Sequence, residues 1–138
     1  NGGDQILNAS LFFKKEGSEP LMYSKRKLFL VGELDPRSIF SENNKLSKGQ
    51  QSTVFHLSNT MDAIPSICFE IFYSHLVRTR ARLNPSLIIN QASLRNFGNS
   101  IIQEIYEKPL IMRSIEYRKP VVFSSNHGNS AAFNALGE

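Results

Sequence analysis

A chain of 138 residues, 41% apolar and 20% charged, is the size and composition of one globular domain and too short for two developed cores. No apolar run approaches the roughly 18–20 residues that cross a bilayer. The opening Asn1-Gly2-Gly3-Asp4 lacks the basic-then-apolar layout of a signal peptide, so the chain by itself reads as soluble. Net charge is +4, and the single cysteine excludes an intramolecular disulfide. The first residue is not Met, so the chain reads as a fragment, a processed form or an artificially trimmed piece.

The elements follow in chain order. Residues 6–13 are apolar and β-compatible and predict a strand; 14–20 carry Gly17 and Pro20 and predict a turn; 21–25 predict the returning strand of a hairpin. Residues 26–44 predict a long irregular loop, of the kind that is often functional, and 45–51 a polar turn. Strands are expected over 52–57 and 64–68. From Phe69 the period changes, and Ile71, Phe72, His75, Leu76 and Thr79 fall at helical spacing, which predicts a helix over 70–82 with His75 on its apolar face as a satisfied core histidine. A short buried strand is expected over 86–90 and a loop over 91–99. A helix over 100–118 should be kinked or split by Pro109. A strand over 120–124, a turn over 125–128 and a last strand over 130–135 complete an α/β or α+β layered sandwich.

Lys25-Arg26-Lys27, Arg78-Thr79-Arg80-Ala81-Arg82 and Arg118-Lys119 supply the basic excess and read as solvated faces. With neither zinc spacing nor an aromatic RNP pattern, no nucleic-acid partner is expected. His56, His75 and His127 share no metal spacing, so no metal and no cofactor are expected.

Three stretches could carry chemistry. In Ile64-Pro65-Ser66-Ile67-Cys68-Phe69-Glu70 a buried strand runs into Cys68 and a helix follows at once. A thiol on such an elbow would face the first helical amides, which favour a thiolate and an oxyanion; the residues alone also allow a small core cysteine. In Tyr23-Ser24-Lys25-Arg26-Lys27-Leu28-Phe29-Leu30-Val31-Gly32-Glu33, Tyr23 and Lys25 share one strand face, and Glu33 needs a partner that Lys25 could supply. An ordinary basic strand end is the plainer reading. Ser124-Ser125-Asn126-His127-Gly128-Asn129-Ser130 is either a tight ligand-facing turn or a plain hairpin.

Taken in order, these stretches resemble the nitrilase (carbon-nitrogen hydrolase) superfamily, and within it most the apolipoprotein N-acyltransferase family. The resemblance rests on Leu7-Asn8-Ala9-Ser10, on Tyr-x-Lys-x-x-Leu-x-x-x-Gly-Glu over 23–33, on Ile67-Cys68-Phe69-Glu70 and on Leu87-Ile88-Ile89-Asn90. It continues through Arg113-Ser114-Ile115-Glu116, Pro120-Val121-Val122, Ser125-Asn126-His127-Gly128-Asn129-Ser130 and Gly137-Glu138.

The resemblance implies the C-terminal portion of a nitrilase-like α-β-β-α sandwich, a single partial domain over 1–138 without its N-terminal part and membrane helices. It implies Cys68, Lys25 and Glu33 as catalytic residues, and Tyr23, Glu70, Asn90 and Asn126 as substrate-binding or supporting residues. Cys68 would take an acyl group from a phospholipid donor as a thioester and pass it to a lipoprotein amine, at a bacterial inner membrane and facing the periplasm. The family also requires a glutamate base ahead of its first matching strand. No residue here fills that place, since Glu16 and Glu19 fall in the hairpin turn, so enzymatic activity of this chain is left open. Gln91-Ala92-Ser93-Leu94 stands where the family has Asp and Trp. A soluble nitrilase-type amidase and a non-catalytic remnant or binding module are the alternatives. Half a sandwich should expose an apolar sheet face, which predicts a homodimer, a partner half-domain or instability in isolation.

Overall fold

The computed structural model describes residues 6–14, 17, 19–29, 46–97 and 101–138. Among them, β1 (Ala9–Phe12) and β2 (Leu21–Ser24) pair antiparallel as a two-stranded sheet. A five-stranded sheet runs β3-β4-β5-β6-β7, formed by β3 (Phe55–Ser58), β4 (Met61–Ile67), β5 (Leu87–Ala92), β6 (Val121–Ser125) and β7 (Ala131–Phe133). Strands β4, β5 and β6 are parallel, and the outer two are antiparallel to their neighbours. Each parallel step is made by a crossover carrying a helix, α1 (Ser74–Ala81) and then α2 (Ile102–Tyr117), as parallel pairing requires.

The period of two along the central strands sorts their side chains into two cores. Ile64 and Ile88 join Val77, Tyr106, Leu110, Val121 and Phe123 under the helices. Ala63, Ile67, Leu87 and Ile89 pack instead with Phe55, Phe12, Leu21 and Tyr23 beneath the two-stranded sheet. The result is a mixed α+β layering, sheet on sheet with helices on the far face, as the element order predicts. The central strands are apolar on both faces because both are covered. Outside, Leu11, Phe13 and Met22 are about half exposed or more, an apolar outer face on the two-stranded sheet.

Several expectations are corrected. Strand β4 starts at Met61, because a two-residue turn at Asn59 and Thr60 folds β3 back on it as a hairpin. Pro65 is tolerated in this central strand because β3 pairs only as far as Ala63 and reaches no residue beyond it. Strand β5 continues to Ala92, since Gln91 and Ala92 keep their pairing with Ser124 and Ser125. The expected loop after it contains a 3₁₀ turn at Arg95–Phe97. Helix α2 is not split at Pro109. Tyr106, Leu110, Arg113 and Ser114 all bury on one face, and that packing outweighs the roughly 3 kcal/mol cost of an interior proline.

The expected helix over 70–82 is two pieces: a 3₁₀ turn at Cys68–Phe72, a break at Tyr73, then α1. The break rephases the helix, so Leu76, Val77 and Arg80 are buried and His75 is exposed beside the Tyr73 ring. His75 is therefore not a core histidine, and Arg80 and Lys25, each 1% exposed, are not part of solvated basic faces.

Candidate active site

Cys68 is the first residue after β4 and has φ 53°, the left-handed region that a residue with a Cβ occupies at a cost of about 1–2 kcal/mol. Such strain persists only where the surroundings over-determine it. Two side chains do so from opposite sides. Glu70, within the 3₁₀ turn, reaches back with Oε2 to accept the Ile67 N–H at 3.0 Å. Asn90, in the C-terminal half of β5 and fully buried, donates from Nδ2 to the Cys68 carbonyl at 3.1 Å and to Ser66 Oγ at 3.1 Å. Asn90 is held by Tyr106 of α2, whose hydroxyl donates to Oδ1 at 3.2 Å.

Glu70 is fully buried and ties the elbow to the chain leaving β2. Its Oε1 accepts the N–H groups of Arg26 at 2.6 Å and Lys27 at 3.1 Å, and its Oε2 accepts the Tyr23 hydroxyl at 2.9 Å. Lys25 immediately precedes these amides. Its own N–H donates to the Asn8 carbonyl at 2.7 Å and its carbonyl accepts the Gly49 N–H at 2.8 Å. Gly49 fits here because a Cβ would stand 2.2 Å from the Ser24 carbonyl oxygen. Arg80 lies under this network, its guanidinium 4.9 Å from the centre of the Tyr23 ring, donating to the carbonyls of Leu76 (2.9 Å) and Pro65. Burial holds the Arg80 guanidinium below its ordinary pKa, opposed by Tyr23 and Glu70. Burial pushes the Tyr23 phenol well above its ordinary value, with Arg80 acting against the rise and Glu70 adding to it.

From the other side, α2 is fastened to the elbow. Arg113 Nε donates to the Ile71 carbonyl at 3.1 Å and its guanidinium pairs with Glu116, which accepts the Ser74 hydroxyl at 2.8 Å.

Lys25, Cys68 and Asn126 line one cavity of about 570 Å³ at the C-terminal ends of the parallel strands, the edge where open α/β sheets hold ligands. One part of its wall is aromatic, with Phe29 and Phe69 stacked 4.4 Å apart and Phe97 beyond. The rest carries Asn8, Ser10, Gln91, Ser93 and Ser124, with Ser10 donating to Gln91 across the two sheets and Asn126 to Ser93 at 3.0 Å. Tyr23, Glu70 and Asn90 do not line the cavity but sit behind it in the networks just described. Glu33 lies outside the described residues. No cluster of His, Cys, Asp and Glu able to hold a metal occurs among the described residues.

Sequence reasoning missed Arg80 and Tyr106. Both occupy core phases of their helices, and the polar end of a core tyrosine or arginine is itself the signal of a buried partner.

A strained cysteine at a strand end and a buried lysine line one cavity of an α+β sandwich, and a buried glutamate ties the elbow to the chain leaving β2. The model of the carbon-nitrogen hydrolase family matches residues 1–138, and the chain belongs to that family. It is 32% identical over 88 residues to apolipoprotein N-acyltransferase 2 of Leptospira interrogans, covering 63% of this chain and 15% of that protein. It is 26% identical over 144 aligned positions to apolipoprotein N-acyltransferase 1 of Treponema denticola, covering 94% of this chain and 26% of that protein. Nit3 of Saccharomyces cerevisiae, a nitrilase-superfamily structure, superposes with a TM-score of 0.77 at 19% identity, over 97% of this chain and 48% of that one. The fold is thus that of the nitrilase superfamily, and the chain spans about a quarter or less of these acyltransferases. Among the described residues no helix is long and apolar enough to cross a membrane.

Proposed function

We propose that this chain carries the thioester-forming part of an acyltransferase site like that of the apolipoprotein N-acyltransferases. The observation that carries the reading is the placement of strained Cys68 and buried Lys25 on one cavity wall. Cys68 Sγ attacks the carbonyl carbon of a phospholipid acyl ester, the C–O bond breaks and the alcohol leaves with a proton. Lys25 and backbone amides at the elbow stabilise the oxyanion. A lipoprotein N-terminal amine then attacks the thioester, forming an amide and returning the thiol. Tyr23 and Glu70 hold Lys25 against the elbow, Asn90 holds the Cys68 carbonyl, and Asn126 shapes the facing rim. Glu33 orients Lys25 or the incoming amine, and the site faces the periplasm at a bacterial inner membrane. The relatives' names and the aromatic wall, suited to an acyl chain, support this assignment.

The test is intact-mass spectrometry after incubation with a short-chain phospholipid. One acyl group should be gained, be released by hydroxylamine and be absent from Cys68→Ala. Labelling that is equal in Cys68→Ala, or release of ammonia from simple amides with no acyl adduct, would overturn it.

A further inference from the structure

We propose that Tyr106 is a positioning residue of the Cys68 site, its one hydroxyl proton shared between the Asn90 amide and the Cys68 sulfur. The inference rests on the reading of Cys68 as a nucleophile.

The geometry is a short chain of donors. Tyr106 is 1% exposed and its hydroxyl donates to Asn90 Oδ1 at 3.2 Å. The opposite end of that amide must present its N–H groups to the Cys68 carbonyl, which can only accept. Asn90 is fully buried, so without the hydroxyl its Oδ1 would lose the donor seen here. The carbonyl it holds belongs to the residue at φ 53°, where backbone strain needs outside support.

Cys68 packs on the core cluster that contains Tyr106. Burial pushes the phenol far above its ordinary pKa, and the adjoining Cys68 raises it further through charge and a hydrogen bond. Asn90 acts the other way, and Glu70 adds to the rise. Burial and these neighbours thus favour the protonated phenol. With the thiol neutral, the better acceptor is Asn90 Oδ1; once the sulfur is ionised, a charged acceptor draws the same proton. One hydroxyl cannot serve both fully, so ionisation of Cys68 loosens the amide that holds its own carbonyl. No covalent bond changes in this exchange.

The ring is fixed for the task. Phe123 stacks on it at 5.1 Å, and Phe69 and Phe72 meet it edge-on at 5.6 Å each. Tyr106→Phe should thus keep the packing and remove only the hydroxyl.

The experiment compares the parent chain, Tyr106→Phe and Tyr117→Phe. Cys68 is titrated by its ultraviolet thiolate absorbance and by the pH dependence of alkylation. Tyr117 is the control on the same helix: its hydroxyl bonds Ser74, not Asn90. Loss of a hydrogen bond to the charged sulfur should raise the Cys68 midpoint in Tyr106→Phe by about one pH unit and cut neutral-pH alkylation about tenfold. Tyr117→Phe should leave both near the parent. An unchanged midpoint in Tyr106→Phe overturns the proposal, as does an equal shift in both variants, which would mean general loosening. If Tyr106→Phe does not fold, ortho-fluorotyrosine at position 106, a stronger donor of the same shape, must lower the midpoint, and no change refutes the role. A parent Cys68 that neither titrates nor alkylates overturns the nucleophile reading and this inference with it.

Discussion

Glu70→Gln is the most revealing single change, because it keeps the shape and removes only charge and one acceptor. The carboxylate accepts four hydrogen bonds, two at each oxygen. With the new NH₂ toward Arg26 and Lys27, two backbone N–H groups would face a donor. With it toward Tyr23 and Ile67, the tyrosine hydroxyl can turn and accept, leaving only the Ile67 N–H opposed. That cheaper orientation still costs about 1–3 kcal/mol for the orphaned donor, and the surviving bonds lose their charge assistance. Arg80 is left buried beside a neutral amide. The orphaned donor thus costs about 1–3 kcal/mol, against a total stability of about 5–15 kcal/mol for a domain. Urea unfolding should therefore show a midpoint lower by roughly 1 M at an m-value of about 2 kcal/mol/M. Tyr23→Phe should cost about 1.5–3 kcal/mol, and the double variant should be less destabilised than the sum of the two. A Glu70→Gln midpoint within a few tenths of a molar of the parent would refute the claim that this carboxylate binds the β2 exit to the elbow.

Two further outcomes follow from the same groups. Lys25→Ala should raise the pH midpoint of Cys68 alkylation by about one unit and slow it about tenfold near neutrality, since a nearby cation favours the thiolate; identical profiles would make Cys68 a core thiol. Tyr23 and Tyr106 both have folded pKa values raised above the ordinary tyrosine value. Their contribution is complete below the unfolded value of about 10 and is lost as pH rises beyond it, by about 1.4 kcal/mol per pH unit for each. Stability measured by urea from about pH 9 to about pH 11 should fall accordingly, and Tyr23→Phe should remove one proton's worth of the slope; an unchanged slope would count against its burial.

What the sequence makes legible is set by range. The run 64–67 into Cys68 is apolar and local, and its strand and the elbow after it are readable from seven residues. The left-handed φ of Cys68 is not, because no glycine or asparagine marks it; its support comes from Glu70 and Asn90, and the Asn90 bond crosses to another strand. Arg80 shows the limit most sharply. Inside a basic run it reads as solvated, and only the break at Tyr73 turns it inward, onto the ring of a tyrosine from the other sheet. A periodicity argument assumes one unbroken helix, so a single 3₁₀ turn is enough to exchange the fates of His75 and Arg80.

The same long-range contacts explain how a chain this short assembles a site around its cysteine. The elbow is clamped between two polar side chains that approach from opposite layers. Glu70 takes the N–H before Cys68 and answers to the two-stranded sheet through Tyr23, Arg26 and Lys27. Asn90 takes the carbonyl of Cys68 and answers to α2 through Tyr106. Movement of either layer is therefore felt at the backbone of one strained residue. Loss of either clamp should free that residue to relax toward ordinary φ, with the aromatic cores on both sides left in place.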